Sequence, residues 1–99
     1  MDRSRIDGFD WDEGNGRKSS EKHAVSQAEA EQLFFKQPLV VVADEKHSGG
    51  ESRFHALGQT DDGRFLHVTF TLRRDETLIR VISTRDMHRK ERTRYEQET

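Results

Sequence analysis

The residues able to do chemistry fall in four places: Lys22-His23, the stretch Glu51-Ser52-Arg53-Phe54-His55, the run from His67 to Thr71, and the basic segment from Arg80 to Arg94. Guanidinium groups hold phosphate oxygens in pairs and keep their charge at any ordinary pH, so an arginine-rich set points first to phosphate. Alternation sorts these residues further. In ESRFHALG, Phe54 and Ala56 share one face of an extended chain, and Glu51, Arg53 and His55 share the other. In RFLHVTFTLR, Leu66, Val68 and Phe70 oppose His67, Thr69 and Thr71; in TLIRVIST, Ile79 and Val81 oppose Arg80. If the apolar sets meet helices, then Arg53, His55, His67, Thr69 and Arg80 share an open face suited to an anion. The same pattern also describes an ordinary solvated sheet face.

Beyond Arg80 the chain becomes densely basic. Arg85 leads into a helix that carries His88, Arg89, Lys90, Arg92 and Arg94, and whose single stripe with apolar members is Met87, Glu91 and Tyr95. That helix reads either as a charged surface element or as a phosphate-gripping one. Lys22 and His23 read as loop residues or as cations at a helix C-terminus. The five histidines include no pair at i, i+4 spacing and no HExxH, and there is no cysteine, so no metal or cofactor is expected. No P-loop, GxGxxG or GxSxG occurs.

The elements that must position these groups are few. At 99 residues the chain is one domain, able to bury only about 60 to 65 % of its unfolded surface. Apolar residues are 30 % and charged residues 36 %, with a net charge of −2 whose acidic excess sits early, in DGFDWDE, and whose basic excess sits late. No apolar run approaches the roughly 18 residues of a membrane span, and no signal-like segment opens the chain, so a soluble cytoplasmic protein is expected. Residues 1 to 8 are polar and are expected to be a flexible extension before a single domain, 9 to 99. A helix is predicted from about Asp12 to His23, and a second begins at the capping box Ser26 with Glu29 and ends before Pro38. PLVVVADE reads as a buried strand, followed by ESRFHALG, RFLHVTFTLR and TLIRVIST, with a TDDG hairpin between the second and third. The last helix is expected to start near Asp86. The fold class is therefore α+β: two N-terminal helices, a four-stranded antiparallel β-meander and a C-terminal helix.

Four segments in this order, FDWDE, EKHAVSQAEAEQLFF, HSGGESRFHALGQT and LIRVISTRDMHRKERTRYE, resemble the BrnT toxins of bacterial type II toxin–antitoxin systems over roughly residues 9 to 96. The resemblance implies a RelE-like fold whose open sheet face cuts RNA. It also implies inhibition by a BrnA-like ribbon-helix-helix antitoxin that binds operator DNA. Matched residue by residue, it makes Lys22, His23, Glu51, Arg53, Arg80 and Arg85 the catalytic candidates: arginines on the phosphate, Glu51 or His23 as base, Lys22 in support. His55, His67, Arg89, Lys90, Arg92 and Tyr95 are the candidates for RNA binding. The chain departs from the family pattern at Ala24, where glycine usually follows the Lys-His pair, and at Ser19 and Asn15. A noncatalytic binding module or a structural partner subunit remains the alternative.

Overall fold

The computed structural model describes residues 3–99. A 3-10 turn at Arg3–Arg5 precedes β1 (Gly8–Trp11), α1 (Glu13–His23), α2 (Gln27–Gln32, continued by a 3-10 turn Leu33–Phe35), β2 (Val40–Ala43), β3 (Arg53–Gln59), β4 (Phe65–Arg73), β5 (Leu78–Asp86) and α3 (Arg89–Glu98). The sheet order is β1-β5-β4-β3-β2. The expected meander is present as β2 to β5, all antiparallel. The expected count of four is corrected to five, because β1 pairs parallel to β5 from Gly8 with Leu78 to Trp11 with Val81, giving a mixed sheet.

One face of the sheet carries the core. Leu33, Phe34, Ala30 and Val25 from the helical layer meet Ala56, Leu66, Val68, Phe70, Ile79 and Val81 from the strands. Phe70 is the hub, with Phe34 edge-on at 5.1 Å and Phe54 stacked at 5.4 Å between ring centroids. Gly58 lets Leu33 lie close on β3: a Cβ there would stand 2.8 Å from Leu33 Cγ.

The helices form where local chemistry fixes their ends. The Asp12 carboxylate accepts from the Gly14 N–H at 2.7 Å, which starts α1 despite its two glycines. Ser26 and Glu29 exchange the two bonds of a capping box at 3.1 and 3.0 Å. Between these helices Ala24 is left-handed, with φ 53° and ψ 39°.

Two further expectations need correction. PLVVVADE supplies an edge strand, β2, only half-buried, because β3 pairs on one side of it alone. α3 begins at Arg89 with His88 as its N-cap, three residues beyond Asp86. Asp86 instead closes β5 opposite Leu66, and Arg64 grips its carboxylate from Nε at 2.7 Å and Nη2 at 3.1 Å. Within the extension expected to be flexible, residues 1 to 8, Arg3–Arg5 form the 3-10 turn and Gly8 opens β1; Met1 and Asp2 lie outside the described residues.

β5 holds one irregularity that matters for function. Thr69 pairs with Ser83 while Phe70 pairs with Val81, so Ile82 is an extra residue in the β5 ladder. Strict alternation would send Arg80 and Arg85, five apart, to opposite faces. The bulge resets the phase, so Arg80 faces outward, Thr84 is wholly buried, and Arg85 faces outward again. α1 lies along the β5 edge beyond the end of β1: Asn15 Nδ2 donates to the Val81 carbonyl at 3.4 Å, and the Thr84 N–H donates to Ser19 Oγ at 3.3 Å.

Candidate active face of the sheet

The face away from the helical layer is built from cross-strand rows. Arg53, Thr71 and Arg80 make the first row, His55, Thr69 and Ser83 the second, and Leu57, His67 and Arg85 the third. Rows two residues apart on a strand lie about 7 Å apart. Two adjoining hollows open on this face.

The first hollow, about 420 Å³, is lined by Asn15, His47, Glu51, Arg53, Thr71 and Arg80 among others. Arg53 Nε and Thr71 Oγ1 are buried there without a hydrogen-bond partner, and Thr71 is only 5 % exposed. Burying a donor without a partner costs about 1 to 3 kcal/mol, so the row is incomplete as it stands. Arg80 approaches one carboxylate, Asp12, at 3.9 Å. Glu51 is committed elsewhere: Arg73 Nε donates to it at 2.9 Å. Arg73 in turn is held on its other side by Asp10 at 3.5 Å.

The second hollow, about 400 Å³, is lined by His55, His67, Thr69, Arg85, Glu91 and Arg94 together with Val42 and Leu57. Arg85 is bound by both Glu91 oxygens, at 2.8 and 2.9 Å. Partial burial would raise the Glu91 carboxyl, but the Arg85 guanidinium and the His88 N–H hold it down at about 2. His67 is buried beside Arg85, its Nδ1 meets no partner, and burial together with that cation pushes it down to about 4, so its ring is neutral at pH 7. The His55 ring lies against it at 4.9 Å. His55 is held at both nitrogens, Nδ1 to Thr69 Oγ1 at 3.1 Å and Nε2 to Asp44 Oδ2 at 2.7 Å.

The sequence-derived candidates thus separate. Arg53, Arg80 and Arg85 come to one face, with Glu51, His55 and His67 among them. Lys22 is exposed and His23 half-buried at the end of α1, and neither lines either hollow; the His23 carbonyl accepts from Arg64 at 3.0 Å. Arg89 and Lys90 are exposed on α3, and Arg92 lies over the Phe65 ring at 4.0 Å. Tyr95, expected to stack on bases, is 3 % exposed and donates its hydroxyl proton to the Pro38 carbonyl at 2.8 Å, so its ring anchors α3. Asp44 and His47 join the face without having been sequence candidates, and Asn15, a departure from the family pattern, lines the first hollow. Asp44 was hidden because its partner His55 lies eleven residues on, across a loop that no short motif spans. Among the described residues no three His, Asp or Glu side chains are grouped as a metal site, and no helix is long and apolar enough to cross a membrane.

The fold and face define the class: a small α+β domain with helices on one side of a mixed sheet and a cation-lined face on the other. The family model for the ribonuclease toxin BrnT of type II toxin–antitoxin systems matches residues 11–91, and the chain belongs to that family. The 1.1 Å crystal structure of the Brucella abortus ribonuclease toxin BrnT has the same fold, with 20 % identity and a TM-score of 0.63, over 83 % of this chain and 97 % of that one. No curated protein matches the chain.

Proposed function

We propose that this toxin is a metal-independent RNA endonuclease that arrests growth in the cytoplasm and is neutralised by a BrnA-like ribbon-helix-helix antitoxin, the complex binding operator DNA through the antitoxin. The observation that carries this reading is the row Arg53, Thr71, Arg80, where a buried guanidinium nitrogen and a buried hydroxyl lack partners that an anionic phosphate would supply. In the proposed reaction the RNA 2′-hydroxyl attacks its own phosphate. Arg53 and Arg80 hold the crowded anion, and the protein need add only orientation and proton transfer. Arg89, Lys90 and Arg92 guide the strand towards the face, or are covered by the antitoxin.

The test is cleavage of a single-stranded RNA by the purified chain, with growth followed on induction. Arg80→Ala is expected to lower cleavage by about 10²-fold or more while retaining the fold. Unchanged cleavage and growth arrest in that variant would misplace the site, and loss of activity in a chelator would end the metal-independent mechanism. A noncatalytic reading draws on two observations, the neutralisation of Glu51 by Arg73 and of Arg85 by Glu91. It predicts RNA binding with no cleavage.

A further inference from the structure

We infer that His55 is the proton-transfer residue of this face and that Asp44 is its positioning residue. The inference rests on the ribonuclease reading above and places His55, rather than Glu51 or His23, in the role of base. Glu51 is spent on Arg73, and His23 lies off both hollows. His55 lies two residues from Arg53 on the same face of β3, so its row is the next along the strand, about 7 Å of backbone from the Arg53–Thr71–Arg80 row. That is the reach of a neighbouring sugar hydroxyl.

Asp44 is held from several sides. Its N–H donates to the Arg53 carbonyl at 2.8 Å, its carbonyl accepts from Ser48 Oγ at 2.7 Å, and Ser48 Oγ in turn accepts from the Arg53 N–H at 2.9 Å. Its carboxylate accepts from the His47 N–H at 3.1 Å and meets His47 Nδ1 at 3.1 Å, while Oδ2 takes His55 Nε2 at 2.7 Å. Burial opposes the charge, but the bonds from His55 and His47 hold the carboxyl at about 2, so it is ionised throughout the physiological range. An anion at Nε2 fixes the tautomer with the proton there and leaves the Nδ1 lone pair as the base. Thr69 Oγ1 now occupies that lone pair, as a hydroxyl in the place a substrate hydroxyl takes.

The remaining charged or titratable groups around His55 are His67 from β4, Arg85 from β5, and Glu91 and Arg94 from α3; Arg53 is the nearest on its own strand. Arg85 and Glu91 neutralise one another, and His67 is neutral. The Asp44 carboxylate is the charge in direct hydrogen-bond contact with the His55 ring, at Nε2. In the step itself, the 2′-oxygen bonds to phosphorus as its proton passes to His55 Nδ1, and the bond from phosphorus to the 5′-oxygen breaks. The departing 5′-oxygen takes a proton from water, His55 returns its own to solvent, and the products are a 2′,3′-cyclic phosphate and a 5′-hydroxyl.

The test uses the full chain and a single-stranded oligoribonucleotide, with cleavage rates measured from pH 5 to 9 for the wild type, His55→Asn, Asp44→Asn, Asp44→Glu and Arg80→Ala. His55→Asn is expected to cost about 10²-fold and to abolish the acid limb of the pH profile. Asp44→Asn is expected to cost about tenfold and move that limb to lower pH, with partial recovery in Asp44→Glu. Thermal unfolding identifies any variant that fails to fold; if His55→Asn is one, the displaced limb in Asp44→Asn decides. Rates within about threefold of wild type and an unmoved profile in both variants would overturn the assignment, and Arg80→Ala would show separately whether the phosphate row still stands. A wild-type chain that cleaves no RNA would overturn both.

Discussion

Ala24 shows how one residue's backbone explains a departure in sequence. The position caps α1 in the left-handed region, with φ 53°, where a side chain costs about 1 kcal/mol and glycine costs nothing. Glycine enters that region without the side-chain clash, so Ala24→Gly is expected to raise stability by up to about 1 kcal/mol, seen as a higher urea midpoint at unchanged slope. His67 supplies a pH prediction. Its ordinary value of 6.5 falls to about 4 on folding, so between those values the unfolded chain binds a proton that the native chain does not. Stability therefore rises from pH 4 to 6.5 and is fully present above it. Asp44 and Glu91, both held at about 2, add a further loss as pH falls from about 4.5. Melting temperatures across pH 3 to 7 check the slope, and His67→Gln is expected to flatten its upper part. Alternation made Arg53, His55, His67 and Arg80 legible as one set. It could not show that Glu51 is neutralised, because Arg73 is twenty-two residues away, at the far end of β4.

At the scale of elements, α3 is held to the domain by Tyr95, whose ring is edge-on to Phe65 at 6.0 Å, and by the Arg85–Glu91 pair. Tyr95→Phe removes the bond to the Pro38 carbonyl and is expected to cost about 1 kcal/mol; Tyr95→Ala should cost about 3 kcal/mol and expose the α3 amides to hydrogen exchange before the sheet unfolds. Strands β3, β4 and β5 and the capping box of α2 were plain in the sequence, since period and cap chemistry are local. β1 was not, because four residues reading GFDW carry no usable alternation and acquire their meaning only against β5. The bulge at Ile82 was equally silent. It is the reason Arg85 could be placed near Arg80 by the resemblance but not by counting.

For the whole molecule, the net charge of −2 hides a division of labour. Much of the positive charge is paired on the surface, as Arg92 with Glu96 at 2.9 Å and Arg94 with Glu98 at 3.5 Å, while the row of Arg53 and Arg80 keeps little compensation. RNA binding is expected to weaken steeply with salt, with a logarithmic slope of about −2 if three phosphates are held, measurable by titration from 50 to 300 mM. The pairing of β1 with β5 also bears on how the chain is made. Gly8 leaves the ribosome early but meets Leu78, seventy residues later in the chain, so the first strand waits unpaired until the fifth has been synthesised. Arg80 and Arg85 arrive with that same strand, and a nascent or truncated chain ending before Leu78 leaves β4 unpaired on one side and lacks two of the three arginines of the open face.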